Sequence, residues 1–510
     1  MTKPRKLPYP LSVAALSLSL AGCMLGPDYH QPPAVAGTAA TALLRANQPG
    51  VALAPPVQRW WLSLHDSDLD WLIEQALQHN PNLRATEAQL RSARALVRQR
   101  RAELLPQVNA SAAYANITPP DSIKNSVNQA SESAAAAAQT YGGTEAAQAV
   151  RSRLGNVDLD TELYNVGFDA SWELDVFGRR RRAEEGARAE AEASEARLAD
   201  ARVQMAAEVG QAYINYLGIR QRIAIAERNL EMVNKSHQLN QQRRERGVAS
   251  EMDVQRSQLL VRQQEGRLPM LRAQAQIALD QLALLIGREP GVLDARLAGN
   301  KPLPTLPAVV PVDDAASLIR RRPDVRQAER ELAASSAQIG QAIAGYFPQV
   351  TLFGSVGMTT TSPKDFNSDA ISTLWAPFLR WSFLDFGRVK AQVAQARAGN
   401  DASAAAYEGK VLAALQDANG ALARFGAARQ QLVSAGQARE SAARSADLVL
   451  QRYRAGATSL IDALDVQRQQ LSAEDSQAQA QVELLVDYVA LQKSLGLGWV
   501  APPPAAVHRP

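Results

Sequence analysis

Residues 172–179 read Trp172-Glu173-Leu174-Asp175-Val176-Phe177-Gly178-Arg179, and residues 381–388 read Trp381-Ser382-Phe383-Leu384-Asp385-Phe386-Gly387-Arg388. Each copy follows an alternating apolar segment and leads into a very long pattern rich in Ala, Glu, Gln and Arg. That order predicts a strand feeding a long helix, twice in one chain. Phe177, Gly178, Phe386 and Gly387 mark the two expected junctions.

Working outward, the repetition widens. Pro323-Asp324-Val325-Arg326 answers Pro81-Asn82-Leu83-Arg84, and Pro348-Gln349-Val350 answers Pro106-Gln107-Val108, both at an offset of 242 residues. From Trp172/Trp381 through Gly247/Gly456 and Ser250/Ser459 to Gly287/Gly496 the offset is 209. Two constant offsets over most of the chain identify an internal duplication, and the difference between them falls in the first hairpin connection.

Four segments alternate as strands: Val108 to Tyr114, Val166 to Leu174, Val350 to Met358 and Phe378 to Asp385. In the second, Val166, Phe168, Ala170, Trp172 and Leu174 lie on one side, against Asn165, Asp169, Ser171 and Glu173 on the other. Between Ile117 and Leu163 the chain is rich in Ser, Ala, Asn and Gly and reads as a long loop, with room for a helical turn. A short helix is expected over Asp68 to His79 and another from Pro81 to about Leu104.

From Gly178 to about Arg246 there is no proline, and the apolar positions keep a seven-residue repeat. Met205, Ala212, Ile219, Ala226 and Val233 form one seam; Val209, Tyr216, Ile223 and Leu230 form the other. This is a coiled-coil period. A helix of ~65 residues is roughly 100 Å long. Gly247 breaks the run, Ser250 caps the return helix, and Pro269 predicts a kink within it. In the second long helix the seam is poorer in bulk, with Ala414, Ala418, Ala421, Phe425, Ala428, Leu432 and Ala435, which suits a tube wall better than a solid bundle.

Composition narrows the class. The 55 basic and 51 acidic residues are interspersed, which makes a solvated surface and no stripe for nucleic acid. The five histidines are scattered without metal-ligand spacing, and no phosphate loop or nucleophile elbow appears, so neither an enzyme nor a cofactor is expected. The single cysteine, Cys23, follows a basic start (Lys3, Arg5, Lys6), an apolar run from Leu11 to Leu20 and the small-residue site Leu20-Ala21-Gly22. This resembles a bacterial lipobox, which implies a signal peptide over 1–22 and a lipid (palmitate among its chains) on Cys23. The plain alternatives are an ordinary signal peptide ending near a cysteine and a buried free cysteine. Residue 24 is Met rather than Asp, which by resemblance to bacterial lipoproteins implies release to the outer membrane. From Met24 to about Pro56 a Pro/Ala/Gly-rich tract reads as an extended linker.

No later segment reaches the ~20 apolar residues of a transmembrane helix, so a membrane crossing must be a barrel. Four strands cannot close one, because barrels start at about eight. A barrel therefore needs two or more copies, with Asp169, Ser171, Glu173, Arg380 and Ser382 lining the lumen; the plain alternative is a soluble sheet packed on helices.

Together these features resemble the TolC-like bacterial outer-membrane efflux proteins, in the lipid-anchored branch serving multidrug pumps. The resemblance covers nearly the whole mature chain. It implies a mainly α fold with a transmembrane β-barrel: a homotrimer whose twelve-stranded barrel, four strands per chain, continues into a long α-helical coiled-coil tunnel through the periplasm. It also implies two kinds of partner, a periplasmic adaptor and an inner-membrane transporter, with outer-membrane lipid around the barrel. On this reading 23–66 is a lipid-anchored and equatorial segment, 67–289 and 312–497 are the two repeats, 290–311 is the crossover, and 498–510 is a tail.

Asp462 and Asp465 lie three apart on one helix face, just after the turn made by Gly456 and Ser459. Repeated by symmetry, such a face presents a ring of carboxylates that favours cations and raises the carboxyl pKa values. The family resemblance assigns both to the periplasmic aperture; the plain alternative is that a helix N-terminus favours acids. Some relatives carry an arginine at the position of Thr458, so an ionic latch is not expected there. The first-copy turn has one matching acid, Asp253. Two further readings are a lipid-anchored coiled-coil scaffold without a pore and, on the same fold, an exit duct for metal ions or secreted proteins.

Overall fold

The computed structural model describes residues 24–30, 43–154, 161–299 and 301–499. The expected signal peptide, Cys23 and the tail from residue 500 lie outside the described residues. In chain order the strands are β1 (Val51–Leu53), β2 (Gln107–Ile117), β3 (Thr161–Leu174), β4 (Val310–Val312), β5 (Gln349–Thr360) and β6 (Ile371–Arg380). The helices are α1 (Ser67–His79), α2 (Pro81–Ala102), α3 (Asp121–Leu154), α4 (Arg179–Glu245), α5 (Glu251–Leu285), α6 (Ala315–Arg321), α7 (Pro323–Ile343), α8 (Arg388–Arg454) and α9 (Leu460–Ser494). Two compact units result. The first takes in the described residues up to Asp28, Val97–Glu185 and Ala337–Arg397; the second takes in Tyr29–Leu96, Gly186–Ser336 and Ala398 onward.

The first unit is built on one antiparallel sheet of order β2-β3-β5-β6. Its register aligns Asn109, Asp169, Ser355 and Leu374 across all four strands. Side chains alternate between faces along a strand, so Asp169, Ser171, Glu173 and Arg380 share one face. Val108, Phe168, Trp172, Leu352, Val356, Trp375 and Leu379 share the other, and most of them are exposed within a single chain. β2 and β6 are edge strands, each with one side unpaired among the described residues.

Three sequence expectations are corrected in this unit. The fourth strand runs from Ile371 to Arg380, not from Phe378 to Asp385. Pro377 hid its first half, yet a proline is tolerated on an edge strand because its missing N–H can face away from the ladder. Ser382 accordingly lies beyond the strand. The expected loop from Ile117 to Leu163 contains α3, broken at Gly143 (φ 77°). Its alanine run, Ala134 to Ala138, is a stronger helix former than the Ser and Asn content suggested.

In the second unit the long helices pack along the seams read from the sequence. Met205, Val209, Tyr216, Ala226 and Val233 are buried, as are Ala414, Ala418, Ala421, Phe425 and Ala428. The main buried cluster takes in a 3-10 turn, Trp60–Leu64, where Trp60 meets Trp61 (5.7 Å between ring centres) and Tyr488 (6.1 Å) edge to face. The tract expected as linker and the crossover each contribute a strand: β1 pairs in parallel with β4, and Leu43 is buried. Three residues of Val/Ala/Leu in a Pro/Gly-rich tract carry no periodicity, so only the partner strand reveals them. Pro269 lies inside α5, which continues to Leu285.

The duplication reaches the helix ends. Asn80 and Arg322 are equivalent positions, each just before the proline that opens α2 or α7. Asn80 Nδ2 donates to the Leu285 carbonyl oxygen (2.8 Å), and Arg322 donates to the Ser494 carbonyl oxygen (2.8 Å). Each satisfies a carbonyl at the end of a return helix that the helix itself leaves unbonded.

Candidate functional site

Each strand-to-helix junction is closed by an aspartate, but not the equivalent one. Asp175 accepts from the backbone N–H groups of Arg180 (3.0 Å) and Arg181 (2.9 Å) at the start of α4. Asp385, one position later in its copy, accepts from Gly387 (3.0 Å) and Val389 (2.8 Å) at the start of α8. The shift leaves Phe386 at φ 51° and 93% exposed, whereas Phe177 stacks on Phe347 with 4.7 Å between ring centres. Gly178 and Gly387 both have positive φ, at 78° and 88°. The arginines of the first junction are all matched with acids: Arg179 and Arg180 with Glu173, Arg181 with Asp175, and Arg182 with Asp28 and Glu185.

The two helical hairpins turn in nearly the same way. At Gly247 the Val248 N–H reaches the Arg243 carbonyl (2.8 Å) and the Gly247 N–H reaches Arg244 (2.8 Å). At Gly456 the Ala457 N–H reaches Arg452 (2.8 Å) and the Gly456 N–H reaches Tyr453 (3.0 Å). Both glycines sit at φ 73°, the left-handed conformation this C-terminal motif requires. Ser250 and Ser459 then cap α5 and α9, each in a reciprocal box with the acid three residues on.

That box decides how the candidate gate acids are held. Asp462 accepts from the Ser459 hydroxyl (2.7 Å), the Ser459 N–H (3.3 Å) and the Thr458 hydroxyl (3.0 Å). Those hydroxyls, Ser459 first and Thr458 second, hold its carboxyl below the ordinary carboxylate range. Within one chain this is opposite to the direction expected of a crowded ring. Asp465 is free of the cap and accepts from Arg468 (2.6 Å) and Gln469 (2.9 Å) on its own helix. In the first copy Asp253 occupies the capping position, and the position equivalent to Asp465 is Arg256. The two turns thus share the capping acid and carry opposite charge at the position three residues beyond it.

The sequence reading missed what ties the two turns together. Arg243 lies over the Tyr453 ring, 4.5 Å from its centre, and donates to the Tyr453 carbonyl oxygen (3.0 Å), while the Tyr453 hydroxyl donates to Asn240 Oδ1 (2.6 Å). Behind the turns the helix seams turn polar. Asn229, Asn240, Ser257, Gln264 and Gln467 are buried there, and Arg222 grips Asp475 through two nitrogens (2.7 and 3.2 Å). Polar residues interrupting an apolar heptad pattern carried that signal.

A model of the family described as outer membrane efflux protein matches residues 72–288 and 316–497. The outer membrane protein OprJ of Pseudomonas aeruginosa is 29% identical, covering 99% of both chains. The pyoverdine export outer membrane protein OpmQ of the same species is 30% identical, over 96% of this chain and 98% of its own. Among solved structures, the outer-membrane channel OprN matches with a TM-score of 0.80 at 36% identity, over 93% of this chain and 99% of its own. The open state of the MtrE channel of Neisseria gonorrhoeae matches with a TM-score of 0.78 at 26% identity, over 93% and 98%.

Proposed function

The chain belongs to the outer membrane efflux protein family, a family of transport and not of catalysis, and from that premise we propose that it is the passive exit duct of a tripartite efflux system. A homotrimer closes a twelve-stranded barrel in the outer membrane, anchored by lipid on Cys23. The helical hairpins of the three copies line a periplasmic tunnel, which docks on a periplasmic adaptor and an inner-membrane transporter. Energy comes from the transporter.

One observation carries this reading: the four-stranded sheet of β2, β3, β5 and β6. Its strands have 11, 14, 12 and 10 residues, enough for the ~9–11 residues that cross a bilayer. Its two edges are unpaired among the described residues, and open edges within lipid must find partners. A periplasmic scaffold has no use for such a sheet. The domain partition follows from the same reading, with 67–289 and 312–497 as paired wall segments, 290–311 as crossover and 23–66 as anchor and equatorial band.

Asp462 and Asp465 are the acids of the periplasmic aperture, with Gly247, Gly456, Ser250 and Ser459 shaping the turns around it. Small molecules are the cargo. Support comes from relatives whose names mention pyoverdine export, toluene efflux and solvent efflux. Expression of the chain in a bacterium lacking its own efflux exit duct, together with the adaptor and pump that serve a relative such as OprJ, tests the reading. Restored exclusion of a pump substrate is the expected result; a trimeric, outer-membrane-located protein that restores nothing speaks against the duct.

A further inference from the structure

Arg182 is the most buried charged side chain among the described residues, 1% exposed, and it holds no part of the gate. Its Nε donates to the Leu25 carbonyl oxygen (3.1 Å), one terminal nitrogen to the Gly26 carbonyl oxygen (3.2 Å) and to Asp28 (2.8 Å), and the other to Glu185 (2.8 Å). Three of these four partners belong to the short segment that follows Cys23. The walls of the slot are glycines. A Cβ on Gly340 would stand 2.7 Å from the Leu25 carbonyl oxygen and 2.8 Å from Arg182 Nε; a Cβ on Gly178 would stand 2.9 Å from the Met24 side chain. The backbone of residues 24–26 thus lies flush against α7 and the β3–α4 junction.

The duplication argues that the slot is purpose-built. Arg182 is answered in the other copy by Ala391, Gly340 by Arg98, and Gly387, the partner of Gly178, has nothing within 4 Å of its Cβ position. One repeat has the clamp; the other keeps only the glycine that the positive φ of its junction requires, and lacks the arginine and the helical glycine. There is also one N-terminus per chain to hold.

We propose that Arg182, Gly178 and Gly340 form a clamp for Met24–Asp28 that registers the lipid-bearing residue 23 against the β3–α4 junction. Residue 23 is one Cα–Cα step, ~3.8 Å, from Met24. A clamped Met24 fixes its acyl chains where strand gives way to helix, the level at which a barrel leaves the bilayer. An unclamped N-terminus leaves the lipid attached but tethers the protein loosely. The clamp rests on the lipid-anchor reading of Cys23.

The test is a nitroxide spin label on Pro27→Cys in the full-length protein in lipid vesicles, alone and combined with Gly340→Ala or Arg182→Gln. Alanine at 340 keeps α7 helical while filling the slot, so this variant does not rely on removing a buried charge. Mass spectrometry of the same samples counts acyl chains and labels. The clamp predicts an acylated N-terminus, one label per chain, an immobilised label with Gly340 and Arg182 intact, and motion at least threefold faster in both combined variants. A non-acylated N-terminus with Cys23 also labelled overturns the lipid reading and the proposal with it. An acylated chain whose label stays equally immobile in either variant overturns the clamp alone.

Discussion

The Arg243 guanidinium, near the end of α4, lies 4.5 Å from the centre of the Tyr453 ring, near the end of α8, and donates to the Tyr453 carbonyl oxygen. The tips of the two helical hairpins of one chain are therefore tied directly. An opening that separates the hairpins must break a cation–π contact and a charge-assisted hydrogen bond, together worth about 2–4 kcal/mol when dry and less at this half-exposed tip, where water replaces part of both. Arg243→Ala should shift the closed–open balance by about tenfold towards open, read as a rise in open probability in single-channel records. Arg243→Lys, which keeps charge without the planar stack, should fall between. Unchanged records would locate closure elsewhere than between these tips.

The capping box gives Asp462 a pH signature. Its carboxyl is held below the ordinary carboxylate value by the Ser459 and Thr458 hydroxyls. A group depressed on folding contributes stabilisation that is complete above its unfolded value and is lost as pH falls through the folded value. In an Asp465→Asn background, cation selectivity measured by reversal potential should survive acidification into the ordinary carboxylate range and disappear only below it. Ser459→Ala should move that loss to higher pH. An unshifted midpoint would separate Asp462 from the ion path.

The polar seam predicts a gain in stability on becoming apolar. Gln467 is 1% exposed and its Oε1 has no partner among the described residues; Gln264 Oε1 is in the same state. A buried acceptor left unbonded costs about 1–3 kcal/mol, and leucine fills a similar volume. Gln467→Leu should stabilise the helical unit by about 1 kcal/mol, seen as a higher thermal midpoint in far-ultraviolet circular dichroism. It should also slow opening, because polar seam residues favour exchange between packings. A lowered midpoint would mean that assembly supplies the missing partner.

Much of the architecture is legible because duplication writes it twice. Constant offsets fix both hairpins, both glycine turns and both serine caps, since each depends on neighbours within a few residues. What escaped depends on contacts across the chain. Val51–Leu53 is a strand only because Val310–Val312 lies beside it. Pro377 argues against a strand by propensity, and an edge position overrides it. α3 is hard to read because Ser, Asn and Gly, weak helix formers, are interspersed with its alanines. Spacing puts Asp462 and Asp465 on one helix face and the family resemblance assigns them to the aperture, but their division into a capping acid and a free one depends on contacts that only the structure shows. Arg243 and Tyr453 are 210 residues apart in sequence, and Arg182 is one arginine in a run of four. Neither position stands out until its partner is in place.

Conductance of the purified protein in a planar bilayer tests the central claim most directly. The account predicts small, cation-selective steps from the wild type. For Asp462→Ala/Asp465→Ala it predicts larger steps with weaker block by divalent cations. No ion-selective conductance from either protein, despite correct folding and membrane insertion, would contradict it.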